Sequence, residues 1–264
     1  MNVRENNTRK KLERGEVVIG SLTLLPEPAI GEMLGAIGYD FLICDTEHTA
    51  VDGQALLHEI RACQSAGVTP IVRVRHAEEK ELLWTLDAGA EGVLIPLIED
   101  QATARSAVRL CKFPPLGDRT LCSATRTAAH GAYRPDLKPY LRHVNDNVLI
   151  TGLVETPEAL QKMDEILAED IDVIMIGRAD LSLKMGLGYA PNDPEVVRLC
   201  EAALKQTIQA GRVAGILAYS PEEAIKWIDF GCRFIAYNQP EMILTLHYRE
   251  ALSAIKAGRA AAVA

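Results

Sequence analysis

The chain has 264 residues, of which 48% are hydrophobic and 24% charged, and its net charge is −8. These values are typical of a globular domain with a substantial core, and the acidic balance argues against nucleic acid or an anionic membrane as a partner. Because no run of 18 apolar residues and no apolar N-terminal segment occurs, we expect neither a membrane span nor a signal peptide.

In chain order, a polar leader with a short basic helix (residues 1–14) precedes an alternation of strands and helices. The apolar runs predict strands near residues 17–24, 40–44, 69–74, 92–97, 148–154, 172–176, 213–218 and 233–237. Amphipathic runs predict helices near residues 28–37, 53–66, 78–88, 101–112, 157–168, 194–210, 221–230 and 240–257. Helix-ending glycines such as Gly38 and Gly67 precede several of the strands.

Eight apolar strands joined by helices predict a (β/α)8 TIM barrel that forms a single domain over residues 1–264, with a frayed end at 258–264. A doubly wound open sheet is the alternative, but the first βα junction has no glycine-rich dinucleotide loop. The six cysteines form no CxxC pair, so reduced thiols in a cytoplasmic protein are the simplest interpretation.

Two segments fall outside the regular alternation. Residues 113–147 show no clear period over about 35 residues, and an excursion of that length is usually functional or ordered by a partner chain. The last predicted helix carries apolar residues, among them Met242 and Leu252, that suit docking on the barrel or on a neighbouring subunit.

The fifth and sixth predicted strands each finish in a carboxylate, Glu155 and Asp180. Parallel strands joined by a helix bring their ends to one face, so we expect the two acids to lie side by side. Their charges would repel unless a cation lay between them, and oxygen ligands suit Mg or Mn better than zinc. The alternative is that each acid caps the helix or loop that follows it.

Other polar residues near strand ends are candidates for catalysis. His48 follows the second strand and is the natural general base, although a lone histidine in a loop is often structural. Arg73 lies in an apolar strand, where it either pairs with a buried acid or binds an anionic substrate or an enolate oxygen. Asp87, on the helix before the fourth strand, is a further candidate, and the alternative is that it is only an acid on the helix surface.

Two missing features also limit the chemistry. No lysine stands at a strand end, which argues against Schiff-base chemistry. No glycine-rich turn follows strands seven and eight, which favours a non-phosphorylated substrate.

Short motifs appear in a fixed order between about Gly15 and Leu246. They are Asp45-Thr-Glu47-His48, Val72-Arg73, Leu86-Asp87-Ala-Gly89-Ala90, Pro114-Pro-Leu-Gly117-Asp-Arg119, Val154-Glu155-Thr, Ile176-Gly177-Arg-Ala179-Asp180-Leu-Ser182 and Gly215-Ile-Leu217-Ala. In these motifs the chain resembles the HpcH/HpaI family of metal-dependent (class II) pyruvate aldolases, which includes 4-hydroxy-2-oxoheptanedioate and 2-dehydro-3-deoxyglucarate aldolases.

The resemblance implies a barrel of the phosphoenolpyruvate/pyruvate-binding type that assembles as a hexamer, a trimer of dimers exchanging the last helix. It implies that Glu155 and Asp180 bind Mg, Mn or Co, with no organic cofactor. The implied reaction is retro-aldol cleavage of a 4-hydroxy-2-oxo acid to pyruvate and an aldehyde, as in aromatic or sugar-acid catabolism.

The resemblance also implies roles for the remaining residues. His48, made more basic by Asp87, moves the C4-hydroxyl proton, and Arg73 holds the C2 oxygen as it becomes an enolate. The substrate-binding set that it implies is Arg73, Gly177, Ala179 and Leu217.

Two positions depart from the family pattern. Leu153 stands where the family usually has a glutamine that touches the substrate, and Arg178 stands where it usually has proline. Arg178 is expected to add a cation beside the carboxylate site, so both residues are candidates for substrate selectivity. Two further readings stay open: the same enolate chemistry applied to oxaloacetate decarboxylation or acyl-CoA cleavage, and a catalytically weak relative that binds 2-oxo acids.

Overall fold

Eight parallel strands pair in chain order, and the last strand pairs with the first to close a barrel. The computed structural model describes residues 4 to 261, with side chains to residue 258. The strands are β1 Val18–Thr23, β2 Phe41–Asp45, β3 Thr69–Arg73, β4 Gly92–Ile95, β5 Leu149–Val154, β6 Val173–Ile176, β7 Val213–Ala218 and β8 Phe234–Tyr237. The predicted (β/α)8 fold is confirmed, and closure between β1 and β8 excludes the open sheet.

Twelve α-helices lie in the described part of the chain. They are α1 Asn7–Glu13, α2 Pro28–Ile37, α3 Gly53–Ser65, α4 Glu79–Ala88, α5 Gln101–Cys111, α6 Lys138–Asn147, α7 Pro157–Leu160, α8 Met163–Leu167, α9 Arg178–Lys184, α10 Pro194–Gln209, α11 Pro221–Phe230 and α12 Pro240–Ala261. The single helix predicted over residues 157–168 is wrong, because α7 ends before α8 begins. Neither α6 nor α9 was predicted. Helix α12 runs past its predicted end, and residues 262–264 of the predicted frayed tail lie outside the described residues.

Local capping explains where several of these helices begin and end. Asp100 and Thr103 form a reciprocal capping box at the start of α5, and the Ser220 side chain accepts a hydrogen bond from the third residue of α11. Helices α2 and α4 end at Gly38 and Gly89, both of which have the left-handed backbone that glycine adopts without strain.

The apolar core has two layers. One layer lies between the strands and the surrounding helices, and the other fills the inside of the barrel, where the rings of Phe41 and Phe234 stack 4.1 Å apart. Leu12 of α1 is buried with this inner cluster, and Thr8 donates a hydrogen bond to Thr69 at the start of β3. Helix α1 therefore covers the amino-terminal end of the barrel, which leaves the carboxyl end open for chemistry.

The aperiodic segment after α5 has a small core of its own. Phe113, Ala128 and Tyr140 are buried together, with half-buried apolar residues of α6 packed around them. The guanidinium of Arg119 lies 4.6 Å from the centroid of the Phe113 ring. The second half of this segment is therefore ordered by helix α6.

The structure also bears on the state of the cysteines and on the presence of a membrane-spanning helix. All six cysteines are free, and only Cys122 is exposed. Within residues 4–261 no helix combines the length and the apolar character needed to cross a membrane.

Candidate active site

Most of the predicted site residues lie at the carboxyl ends of the barrel strands. Asp45 and Arg73 are the last residues of β2 and β3, and Glu155 directly follows β5. His48 lies three residues after β2, and Asp180 lies in the first turn of α9, just after β6. These five residues converge on one end of the barrel because all eight strands are parallel.

Arg73 is held by a buried carboxylate. Its Nε donates to Asp45 Oδ1 at 2.8 Å and its Nη2 donates to Asp45 Oδ2 at 2.7 Å, a two-pronged geometry set by the pairing of these residues between neighbouring strands. Glu47 Oε2 lies 3.4 Å from the same Nε. Burial lowers the pKa of Arg73, but Asp45, Glu47 and Glu155 together raise it above its ordinary value. The guanidinium is therefore charged, rigid and surrounded by acids.

Glu155 is a buried carboxylate in a cluster of acids. Its side chain does not cap α7, because Thr156 does so; instead Glu155 Oε1 accepts a hydrogen bond from the backbone N–H of Leu97 at 3.2 Å. A Cβ on Gly177 would lie 2.8 Å from Glu155 Oε2, so glycine at that position leaves space for the carboxylate. Burial, with the charges of Asp180 and Glu47, raises the pKa of Glu155 to about 7 against the opposing effects of the Leu97 hydrogen bond and the charge of Arg73.

These observations fit a bound cation. Asp180 lies close enough to Glu155 for its charge to raise the pKa of Glu155. Both side chains offer only oxygen atoms, and a pair of carboxylates is the type of ligand set that Mg²⁺ and Mn²⁺ prefer. Within residues 4–261 no group of three or more His, Cys, Asp or Glu residues is arranged to hold a metal. A cation here would therefore take its remaining ligands from water or substrate, as Mg²⁺ usually does.

His48 and Asp87 are not brought together within the chain. The His48 side chain is 59% exposed, and its Nε2 lies 3.5 Å from Glu47 Oε2. Asp87 lies near the end of α4, which runs back from the carboxyl end of β3 to the start of β4. Its Oδ1 accepts a hydrogen bond from Arg119 Nη2 at 2.7 Å at that opposite end of the barrel. Glu47 is therefore the carboxylate that contacts His48.

The two residues that depart from the family pattern occupy different environments. Leu153 is 7% exposed inside the barrel, with Cδ1 3.4 Å from the position of a Cβ on Gly177, so it forms apolar floor beneath the site. The guanidinium of Arg178 pairs with Glu223 of α11. The positive charge expected from Arg178 beside the site of the substrate carboxylate is therefore balanced by Glu223.

Three groups that shape this site carry no role that is evident from the sequence. Asp45 holds Arg73, Glu47 contacts both Arg73 and His48, and the Leu97 N–H holds Glu155. Asp45 had a usable signal, because it ends the strand beside an arginine that needed a partner. Leu97 had none, because its contribution comes from the backbone, at a positive φ of 54° that is strained for leucine.

Comparison with known proteins identifies a matching family and similar relatives of the whole chain. A family model described as HpcH/HpaI aldolase/citrate lyase matches residues 23–236. The chain is 32% identical over 256 residues to a 2-keto-3-deoxy-L-rhamnonate aldolase of Escherichia coli (strain K12). The aligned region covers 96% of this chain and 94% of the relative.

Two solved structures share the fold at similar coverage. An HpcH/HpaI aldolase/citrate lyase family protein from Burkholderia cenocepacia J2315 superimposes with a TM-score of 0.88 at 29% identity, covering 95% of this chain and 99% of the other. The citrate synthase SbnG superimposes with a TM-score of 0.85 at 27% identity, covering 95% and 97%.

Proposed function

This chain belongs to the HpcH/HpaI aldolase/citrate lyase family, and we propose that it is a carbon–carbon lyase that reversibly cleaves a 4-hydroxy-2-oxo acid to pyruvate and an aldehyde. The observation that carries this proposal is the buried Glu155 carboxylate, which faces other acids beside a rigid arginine at the open end of the barrel. Such a site suits a reaction in which negative charge develops on a substrate oxygen.

Glu155 and Asp180 are the residues that would hold a divalent cation, with Mg, Mn and Co as the candidates. When bound, the cation supplies positive charge that stabilises the pyruvate enolate formed as the carbon–carbon bond breaks. No organic cofactor is needed for this chemistry. Glu155 must be ionised to serve as a ligand, and its raised pKa means that a cation has to compete with a proton for it near neutral pH.

Arg73 would hold the C2 oxygen of the substrate. Both Nε and Nη2 are fixed by Asp45, and Nη1 has no hydrogen-bond partner among the residues whose side chains are described. This guanidinium edge is available to an oxygen that gains charge. Because Asp45 fixes the arginine beforehand, little reorganisation is needed as the enolate forms.

His48 would take the proton from the C4 hydroxyl. Its exposed imidazole lies at the open end of the barrel, and Glu47 Oε2, 3.5 Å from its Nε2, is placed to orient the ring for proton transfer. Within one chain Asp87 lies at the opposite end of the barrel from His48, so it cannot make that imidazole more basic there. Asp87 would have this effect only if it came from a neighbouring subunit. Within the chain we assign the supporting role to Glu47.

The substrate carboxylate would lie against the backbone of Gly177 and Ala179 at the start of α9, beside the half-buried Leu217. Leu153 makes the floor beneath this part of the site apolar. The E. coli relative is named for 2-keto-3-deoxy-L-rhamnonate, and sugar acids with a 2-oxo group and a deoxygenated C3 are therefore the first substrates to test.

The test is pyruvate release from a panel of 4-hydroxy-2-oxo acids, measured before and after removal of divalent cations with EDTA. We expect activity that disappears with EDTA and returns with Mg²⁺, Mn²⁺ or Co²⁺, and that is abolished in His48→Ala and Glu155→Gln. Glu158→Gln, which neutralises an exposed acid three residues away, is the matched control. Full activity after exhaustive chelation would rule out the proposed chemistry.

A second function draws support from the similarity to a citrate synthase. The same enolate-stabilising site could serve oxaloacetate decarboxylation or carbon–carbon chemistry on an acyl-CoA. Parallel assays with oxaloacetate and an acyl-CoA thioester separate these reactions from the aldolase. Cation binding without turnover of any of these compounds would instead indicate a 2-oxo-acid-binding relative with weak catalysis.

We further propose that α12 is exchanged between subunits of a hexamer built as a trimer of dimers. Its apolar side chains are largely exposed within one chain, including Leu244, Leu252 and Ile255 at 49%, 52% and 62%. An exposed apolar face of that kind is typical of an oligomer interface. Leu252→Glu with Ile255→Glu should reduce the mass measured by light scattering, whereas a wild-type monomer would contradict the assembly.

The six free cysteines suit a reducing compartment, and we place the enzyme in the cytoplasm.

A further inference from the structure

Arg178 occupies an unusual position for a charged residue. It is the first residue of α9, two residues before Asp180, and only 6% of it is exposed. A cation at the start of a helix meets the positive end of the helix dipole, so both burial and the dipole oppose its charge. The position is tolerable only because other groups compensate.

The compensation comes from three separate segments of the chain. Arg178 Nη1 donates to Asn192 Oδ1 at 3.0 Å in the loop before α10, and Nη2 donates to the Leu217 carbonyl at 3.2 Å in β7. Nη2 also pairs with Glu223 of α11, and the guanidinium carbon lies 5.5 Å from the centroid of the Trp227 ring. One side chain thus connects the start of α9 to the loop after α9, to strand β7 and to helix α11.

Glu223 is itself held in place. Its Oε2 accepts a hydrogen bond from the Tyr219 N–H at 2.8 Å, and its Oε1 accepts one from Trp227 Nε1 at 3.4 Å. Burial raises the pKa of Glu223, but the Tyr219 hydrogen bond and the charge of Arg178 outweigh burial and leave the pKa below its ordinary value. Glu223 is therefore ionised, and its position is fixed by hydrogen bonds that do not involve Arg178. It thus provides a fixed partner for the Arg178 guanidinium.

We propose that the Arg178–Glu223 ion pair is a positioning device for the cation site, which fixes the Gly177–Asp180 turn so that Asp180 is held where it binds the ion. The inference rests on the proposed function, because it assumes that Asp180 is a cation ligand. Asp180 is exposed, and its position depends on a turn that opens with Gly177 and has no side-chain cap. Ser182, two residues beyond that turn, adds one local restraint by donating to the Ala179 carbonyl at 2.7 Å. The ion pair supplies the long-range restraint.

The test is calorimetric titration of the full-length, EDTA-stripped protein with MnCl₂, alongside its thermal unfolding midpoint without metal. We expect Arg178→Met and Glu223→Gln to raise the Kd for Mn²⁺ by about tenfold, which corresponds to about 1.4 kcal/mol. Arg178→Lys keeps the charge but not the forked geometry and should fall between them and wild type. Arg198→Met is the control, because Arg198 forms an exposed ion pair with Glu195 along α10.

The possible results separate the two proposals. Wild-type protein that binds no Mn²⁺ would refute the proposed cation site itself. Wild-type binding that is unchanged in Arg178→Met and Glu223→Gln, even with a lowered unfolding midpoint, would reduce the ion pair to a structural role and overturn the inference. Arg178→Met leaves Glu223 without its partner, and if this variant does not fold, the double variant Arg178→Met with Glu223→Gln decides, since it leaves no unpaired charge.

Discussion

Replacing Glu155 with glutamine should stabilise the metal-free protein while removing cation binding. Burial and neighbouring acids raise the pKa of Glu155 to about 7 from an ordinary 4.5. At about 1.4 kcal/mol for each pKa unit, ionising this carboxyl costs up to about 3 kcal/mol of folding free energy. Because the folded pKa is the higher one, the cost is absent below about pH 4.5, grows up to about pH 7 and is constant above it.

The assay is urea unfolding of wild type and Glu155→Gln in EDTA at several pH values. Glutamine keeps an acceptor for the Leu97 N–H, so the variant should be more stable by about 1 to 3 kcal/mol at about pH 8 and equal to wild type at about pH 4.5. Saturating Mn²⁺ should then stabilise wild type only. Equal stability of the two proteins at pH 8, or a variant that still responds to Mn²⁺, would refute the reasoning. Glu158→Gln should show neither effect.

Three other substitutions test separate parts of the account. Asp45→Asn should lower kcat/KM by about 10- to 100-fold because Arg73 loses the carboxylate that orients it; an unchanged pyruvate-release rate would contradict this role. Leu153→Gln should lower the KM for a 2-oxo acid severalfold by placing an amide beside the site, and Leu153→Met, which should not, is its control. Glu59 is 3% exposed, and burial, with the charge of Glu27, raises its pKa to about 8. Glu59→Gln should therefore stabilise the fold by about 1 to 4 kcal/mol at about pH 8.5 and by almost nothing at about pH 4.5 in urea unfolding; a gain independent of pH would point to packing instead.

The strands were predictable because each is a short apolar run that is largely buried, a pattern that parallel barrels impose. Helix α6 was not predicted, although Leu137, Tyr140, Leu141 and Val144 follow helical spacing. Those residues pack on Phe113 and Ala128 of the same segment rather than on the barrel, and polar residues between them weaken the pattern. The break between α7 and α8 left no clear signal, because the helical run continues across it.

The candidate site was predictable where it depends on strand ends. Placing Glu155, Asp180, Arg73 and His48 at one end of the barrel required only parallel strands. The pairing of His48 with Asp87 does not follow from strand order, since Asp87 lies on a helix that returns to the opposite end. The orientation of Arg178 was also beyond the sequence, because its partner Glu223 lies 45 residues further along the chain.

The central claim is that Glu155 and Asp180 together bind a divalent cation. The measurement that tests it most directly is a crystal structure of the EDTA-stripped protein soaked with MnCl₂ and pyruvate, with data collected at the manganese absorption edge. The account predicts an anomalous peak within bonding distance of a carboxylate oxygen from both residues, with pyruvate beside Arg73. Anomalous density that is absent from this position, in crystals of a protein that still releases pyruvate, would contradict it.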